Sequence, residues 1–317
     1  MVAFQKLVFD VNDNIKALSL FGERDCHLKT IERLLNLKIN ARGHIAFIEG
    51  KNALIAKKIL SQLVSKLEKN ENVDAEEVEA LIRLSASGKG NIANDILVVT
   101  SKKKILPRTF MQAKYIESLQ NNELTFGIGP AGTGKTYLAV ACAAEHLING
   151  KVEKIILSRP AVEAGEQLGF LPGDLKEKVD PYLRPLYDSL EDCIYKDKIT
   201  KFLDNGKIEI APLAFMRGRT LSYSYIILDE AQNTSPMQMK MFLTRLGIGS
   251  QMVITGDLSQ IDLPNPESSG LYEALDITKG INNVTQIKFL EKDVVRHPLV
   301  TAIVNSYNKQ SMYKKNR

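Results

Sequence analysis

Residues 127–136 read GIGPAGTGKT, and residues 225–232 read YIILDEAQ. The first stretch is built of residues too small or too constrained to pack a core. Within it, Gly129-Pro130-Ala131-Gly132-Thr133-Gly134-Lys135-Thr136 satisfies the pattern GxxxxGK[ST]. Glycine has no Cβ, so the backbone can take left-handed angles and turn several N–H groups inward around an anion. In such a loop the lysine, here Lys135, reaches the β- and γ-phosphates, and the hydroxyl of Thr136 ligates Mg2+. A strand pattern, LTFGI, comes directly before, and a helix pattern, TYLAVACAAEHL, includes the loop's last residue and continues it. That context separates a phosphate loop from a chance match. The positive end of the helix dipole faces the same anion.

The second stretch ends on Asp229 and Glu230. If its strand lies beside the loop strand, both carboxylates emerge at the carboxyl edge of the sheet, where ligands bind in this architecture. Asp229 is then placed to hold Mg2+, directly or through water. Glu230 is placed to orient and deprotonate an attacking water, because phosphoryl transfer needs an in-line nucleophile more than covalent chemistry. Without the loop, the pair would read as a solvated acidic turn. A further strand, MVITGD, leads into LSQ and sets Asp257 and Gln260 beside the γ-phosphate, with Gln260 long enough to sense it. The helix between, SPMQMKMFLTRL, opens on a Ser235 cap and Pro236, and its methionines Met237, Met239 and Met241 read as core filling.

From residue 107 onward the pattern repeats strand, turn and helix, with strands expected at LTFGI, KIILS, KIEIA, YIILD, MVITG and VTQIKF. Apolar strands without alternation, separated by helical segments, indicate a parallel sheet covered on both faces. The fold class expected is α/β: a doubly wound, mainly parallel P-loop NTPase sheet with a small α/β module ahead of it. Residues 159–192 carry Pro160, Pro172, Pro181 and Pro185, which predicts turns and short helices rather than one continuous helix.

The chain has 317 residues, enough for about two domains. Ahead of the repeating part, residues 17–67 suggest a β-α-β-β-α module, with ALSLF as its first strand and KIN and IAFIE as later ones. The division expected is residues 1–73 for this module, 74–106 for a helix and basic linker, and 107–317 for the larger domain. No window approaches the roughly 18 apolar residues of a membrane helix, and the N-terminus has no signal-peptide pattern, so a cytoplasmic location without membrane contact is expected. The cysteines Cys26, Cys142 and Cys193 lie far apart, which suggests neither a disulfide frame nor a zinc site. Net charge is +5, too modest alone to indicate nucleic acid. Its basic stretch SKKKILPR (101–108) reads either as a solubilising linker or as a phosphate contact.

Five motifs in order, GPAGTGKTYLAVA, SRPAVEAGEQLGFLPGD, ILDEAQNTSPMQMKMFLTRLG, ITGDLSQIDLP and VVRHPLV, resemble the PhoH-like family of phosphate-starvation-inducible ATPases, across about residues 105–308. That family is similar to the motor core of superfamily 1 helicases, whose fold is RecA-like, and is associated with RNA metabolism. The resemblance implies ATP binding by residues 129–136, metal and water-activating roles for Asp229 and Glu230, and a GDxxQ sensor at Asp257 and Gln260. It implies an adenine-reading glutamine at Gln112 and a γ-phosphate arginine at Arg296. Arg159, Arg217 and Arg219 follow strands at the same edge; they fit contacts to RNA phosphates or to a neighbouring subunit's nucleotide, or intramolecular salt bridges. The N-terminal module is similar to the KH RNA-binding fold, in which a GXXG loop clamps the backbone. Its candidate loop, Gly22-Glu23-Arg24-Asp25, has two acids and no second glycine, and one helix of that fold is missing from the pattern.

Such motors close two similar domains around ATP, yet only about 57 residues follow Gln260. The second wall of the cleft is therefore expected from another copy, in a closed ring with a hexamer favoured. The reading is an Mg2+-dependent ATP hydrolase acting with single-stranded RNA, with an RNA-processing protein as a possible partner. The alternative is a nucleotide switch in which ATP orders residues 159–192 to recruit a protein, without mechanical work. A small-molecule kinase fits GDLSQ and DEAQ less well.

Overall fold

The structure, a computed structural model, describes residues 4–68, 73–86, 97–160, 175–264 and 269–296, with five further positions between 299 and 306. The chain divides into two compact units, Met1–Leu97 with Leu106–Ala113, and Val98–Ile105 with Lys114–Arg317.

The first unit runs β1 (Gln5–Asp10), α1 (Asn14–Phe21), α2 (Cys26–Leu35), β2 (Lys38–Arg42), β3 (Ile45–Gly50), α3 (Ala53–Glu68) and α4 (Ala75–Ala86). Its strands form an antiparallel sheet in the order β1-β3-β2. ALSLF, expected as a strand, lies in α1 instead, and the strand precedes it. The cause is local. Asp13 accepts hydrogen bonds from the amides of Ile15 (2.8 Å) and Lys16 (3.1 Å), which starts a helix where an apolar run of five could have gone either way. Ala17, Leu20 and Phe21 then bury against Ile31, Ile48, Ile59 and Leu60. α1 thus stands where the sequence pattern placed a strand, and the loop Gly22–Asp25 joins it to α2. Of residues 74–106, expected as a helix and basic linker, the helix forms as α4, which packs on α2 and α3, while residues 98–105 form a hairpin in the second unit.

That hairpin is β4 (Val98–Val99) and β5 (Lys104–Ile105). After it, α5 (Phe110–Asn121) leads to β6 (Leu124–Ile128), α6 (Lys135–Ile148), β7 (Lys154–Arg159), α7 (Leu175–Cys193), α8 (Lys196–Asp204), β8 (Ile208–Pro212), β9 (Ser224–Leu228), α9 (Pro236–Leu243), β10 (Gln251–Gly256), α10 (Gly270–Ile277) and β11 (Val284–Lys288). All six expected strands form, and they pair in parallel in the order β11-β6-β10-β9-β7-β8. β6 and β9 are buried along their whole length, as continuous apolar strands should be when both faces are covered.

One condition is not met and one expectation changes. The acid-bearing strand β9 is not the neighbour of the loop strand β6, because β10 lies between them. And α7 is one helix of 19 residues that passes through Pro181 and Pro185. Proline in a helix interior costs about 3 kcal/mol, but Leu183, Leu186, Leu190 and Cys193 are buried along the helix, and that burial offsets the cost. Residues 161–174, with Pro172, lie outside the described residues.

The basic stretch 101–108 turns partly inward. Lys103 pairs with Asp192 at 2.6 Å, and Lys102 donates to the Glu191 carbonyl at 2.5 Å, both at the end of α7. The Val99 amide donates to the buried Glu145 carboxylate on α6 at 2.8 Å, so the hairpin is tied to the helix that follows the glycine loop.

Candidate functional site

β6 ends at Ile128, and the chain turns through 129–134 into α6. Gly132 (φ 83°) and Gly134 (φ 81°) take left-handed angles that side chains rarely adopt. The Gly129 amide donates to Gly256 O at 3.1 Å, which fixes the loop's entry to the end of β10. Lys135 folds back over the loop, its Nζ donating to the carbonyls of Gly129 (2.7 Å) and Pro130 (2.9 Å). Burial lowers its pKa, while the charges of Asp257, Asp229 and Glu230 act in the other direction. The ammonium thus sits among three carboxylates, over the loop.

Asp229 stands at the end of β9, 5% exposed. Its Oδ1 accepts from Thr136 Oγ1 and from Thr255 Oγ1, both at 2.6 Å, and its amide donates to Ser158 O at 2.9 Å. β10, inserted between β6 and β9, supplies Thr255, so the central strand and the loop helix meet on the same carboxylate. Thr136 and Asp229 present hard oxygen donors, the chemistry Mg2+ takes. Asp257 adds an unusual feature. Its Oδ1 accepts from Ser259 N (2.9 Å) and Ser259 Oγ (2.6 Å), while its Oδ2 is buried with no partner among the described residues. A buried carboxylate oxygen without a donor is costly, so its place beside Lys135 suits a ligand that carries protons or a hydrated cation. The residues present therefore fit Mg2+ with a triphosphate.

Glu230 is strained. Its φ of 52° puts a non-glycine residue in the left-handed region, a feature that clusters at functional sites. The turn aims its carboxylate between Arg159 Nη2 (3.5 Å) and Gln232 Nε2 (2.6 Å).

The strap after β11 closes over the loop. Phe289 N donates to Ile128 O at 2.7 Å, Val295 N donates to Gly132 O at 2.9 Å, and Arg296 Nη2 donates to Ala131 O. A Cβ on Gly132 would come within 2.8 Å of Arg296 Nε and Nη2, so the guanidinium lies against the loop of its own chain.

Comparison with known proteins agrees with this geometry. The profile of the family described as PhoH-like protein matches residues 104–308. The chain belongs to the PhoH-like family. It is similar to a PhoH-like protein of Bacillus subtilis, 51% identical over 93% of this chain and 95% of that one. A Synechocystis PhoH-like protein is 43% identical over 92% of both chains. Protein PhoH of Escherichia coli is 40% identical over 74% of this chain and 66% of that one. Membership in the PhoH-like family makes the loop a nucleotide-binding P-loop on an ATPase fold.

Within this PhoH-like site the structure brings together Lys135, Thr136, Asp229, Glu230, Asp257 and Arg296, and places Arg159 against Glu230. Gln260 contributes its carbonyl to Gln232 (3.1 Å), and its side chain is exposed. Gln112 belongs to the first unit, where it is buried and accepts from the Arg108 amide at 2.6 Å. Arg219 is engaged in a two-pronged pair with Glu209 (2.6 and 2.7 Å), the intramolecular option foreseen for it, while Arg217 is exposed. His297 lies outside the described residues, and among those described no cluster of His, Cys, Asp or Glu could hold a metal. No helix among the described residues is long and apolar enough to cross a membrane.

Three participants were not legible in the sequence: Thr255, Gln232 and the backbone of the strap around Phe289 and Val295. Each acts through a contact between segments distant in sequence. Only the position of Gln232, two residues after Glu230, offered a hint.

Proposed function

We propose that this chain hydrolyses ATP with Mg2+ and couples the cycle to single-stranded RNA as a closed homo-oligomeric ring, a hexamer by preference, in the cytoplasm. The observation that carries the hydrolytic reading is the 2.6 Å hydrogen bond from Thr136 to Asp229, which joins the loop to the acid strand. In this reading the amides of residues 129–136 and the Lys135 ammonium grip the β- and γ-phosphates. Thr136 and Asp229 hold Mg2+, whose charge offsets that on the phosphoryl oxygens. Glu230 takes the proton as water oxygen bonds to the γ-phosphorus and the bond to the bridging oxygen breaks, releasing ADP and phosphate. Arg296 stabilises charge on the transferring group, and Gln260 and Asp257 register its presence.

Support for the RNA half comes from the first unit and from charge. The helices α1 and α2 meet at the Gly22–Asp25 loop, where a KH module carries its backbone clamp. Arg217 is exposed beyond β8, and Arg159 stands at the end of β7. An RNA-processing protein is a further candidate partner.

The test is the ATPase rate with and without single-stranded RNA for the wild type, Lys135→Ala and Glu230→Gln, with mass recorded by light scattering. Lys135→Ala should lose nucleotide affinity, and Glu230→Gln should bind nucleotide with turnover reduced to a small residual. A Glu230→Gln rate equal to wild type would remove the water-activating role. A wild-type rate indifferent to RNA would remove the coupling and leave the nucleotide switch.

A further inference from the structure

Gln232 is 1% exposed, and its carboxamide touches three parts of the site at once. Its Nε2 donates to Glu230 Oε2 at 2.6 Å and to the Gln260 carbonyl at 3.1 Å, and its Oε1 accepts from the Asp257 amide at 3.0 Å. The orientation is forced by these partners: a flipped amide would face a carboxylate and a carbonyl with oxygen, and an N–H with its own NH2. Both Nε2 protons are used. The residue itself is held in place from behind, because Ser269 Oγ donates to the Gln232 carbonyl at 2.7 Å and Gly256 leaves room for its Oε1, which a Cβ there would meet at 3.0 Å.

This arrangement has a mechanical consequence. Glu230 sits on a strained left-handed turn, and its carboxylate is held by the Gln232 donor on one oxygen and faces Arg159 on the other. The same amide spans the loop Asp257–Gln260. A shift of that loop must therefore pull on the amide, and the amide on the carboxylate. A buried, fully engaged polar group of this kind transmits displacement because any slack would leave a donor or acceptor unsatisfied.

We infer that Gln232 is the positioning residue that couples the Asp257–Gln260 loop to Glu230, setting the carboxylate on the attacking water only when that loop is in register. The inference rests on the reading of Glu230 as the group that takes the proton from water. Gln232 touches neither nucleotide nor water in this scheme and acts through Glu230.

The test uses the full chain with Gln232→Met, which keeps length and volume but removes all three polar contacts, and Gln232→Glu, which keeps the acceptor for Asp257 but removes the donors. Nucleotide affinity is measured by titration calorimetry, turnover by phosphate release, and folding by thermal melting. For both variants turnover should fall on the order of 10²-fold with nucleotide affinity within about threefold of wild type, the pattern of an interaction made in the transition state. A cycle with Glu230→Gln supplies the readout that a merely structural role would not move. Once Glu230 cannot take the proton, adding Gln232→Met should cost less than about threefold more, because the two act as one unit. Multiplicative losses, or a Gln232→Glu variant that melts like wild type and turns over at its rate, would overturn the inference. If instead Glu230→Gln alone keeps the wild-type rate, the failure lies in the assignment of Glu230.

Discussion

Thr136 Oγ1 and Thr255 Oγ1 both donate to one oxygen of Asp229 at 2.6 Å, so residues from α6 and β10 converge on a single carboxylate at the end of β9. Thr136 is the residue the motif assigns to Mg2+; Thr255 stands behind Asp229 and orients it. Partners of a metal-binding carboxylate set its direction and basicity, and their loss costs about 10- to 100-fold in metal affinity. Thr255→Val should therefore raise the Mg2+ concentration for half-maximal rate by about tenfold or more while leaving the saturated rate within a few-fold. Asp229→Asn should lower the saturated rate itself, on the order of 10²-fold. Rates measured across an Mg2+ titration, with circular dichroism as the fold control, check both.

Gly129 predicts a stability effect rather than a chemical one. Its φ is 149°, and a Cβ there would lie 2.6 Å from the Phe289 carbonyl oxygen and 2.8 Å from Phe289 Cβ. Neither contact is with the free end of a flexible side chain, so the strap cannot yield cheaply. Gly129→Ala should destabilise the second unit by about 2 kcal/mol or more, through a strained angle and a displaced strap. Thermal melting of the variant should show it without added nucleotide, and a melt equal to wild type would contradict the tight seat of Phe289 against the loop.

The contrast between what the sequence disclosed and what it did not follows from the range of the interactions. The glycine loop was legible because its requirements are local: small residues, a lysine and a hydroxyl at fixed spacing. The six strands were legible because a doubly covered strand such as IIL in β9 needs apolar residues throughout. Strand order was not, since nothing within β9 or β6 says that β10 separates them. Helix α1 was misread because LSLF alone has no periodicity long enough to decide, and the Asp13 cap decides it. The prolines of α7 misled for the opposite reason: a local rule was outweighed by burial of Leu186 and Leu190. Gln232 and Thr255 carry no local signature at all, because their partners lie on other segments or depend on an uncommon turn at Glu230.

Arg219 is held within its own chain. Its two guanidinium nitrogens bind the two oxygens of Glu209 at 2.6 and 2.7 Å, and its carbonyl accepts from Arg245 at 2.7 Å. The Arg219 hydrogen bond is the main cause holding the Glu209 carboxyl below its ordinary value of 4.5. A lowered folded-state value means the pair contributes stability above about pH 4.5 and loses it as pH falls through the folded value. Both side chains are about one third exposed, 35% and 36%, so solvent screening limits the contribution to about 0.5 kcal/mol. Arg219→Ala should thus lower the melting temperature slightly at pH 7, with the difference shrinking as pH falls below the ordinary carboxylate value, and should leave single-stranded RNA affinity unchanged. A loss of RNA affinity without loss of stability would reassign Arg219 to the nucleic acid.

Arg296 decides whether each site is complete within one chain. The Val295 amide donates to Gly132 O at 2.9 Å, and the Arg296 guanidinium donates to Ala131 O, so the strap is hydrogen-bonded to the loop of its own chain through main chain and side chain alike. An arginine pinned in this way already lies against the loop proposed to hold the phosphates of its own chain, whereas service to a neighbouring copy would require the Val295 bond to break. Arg296→Ala is therefore expected to lower turnover about 10³-fold in its own site. Mixing supplies the test. Arg296→Ala and Glu230→Gln chains, denatured together and refolded into shared oligomers, should give the average of the two separate rates, because no pairing of copies restores a site that lacks its own arginine or its own glutamate. If the mixture turns over well above that average, an intact arginine on one copy has reached an intact Glu230 on another, and the strap must swing out from Gly132 during the cycle.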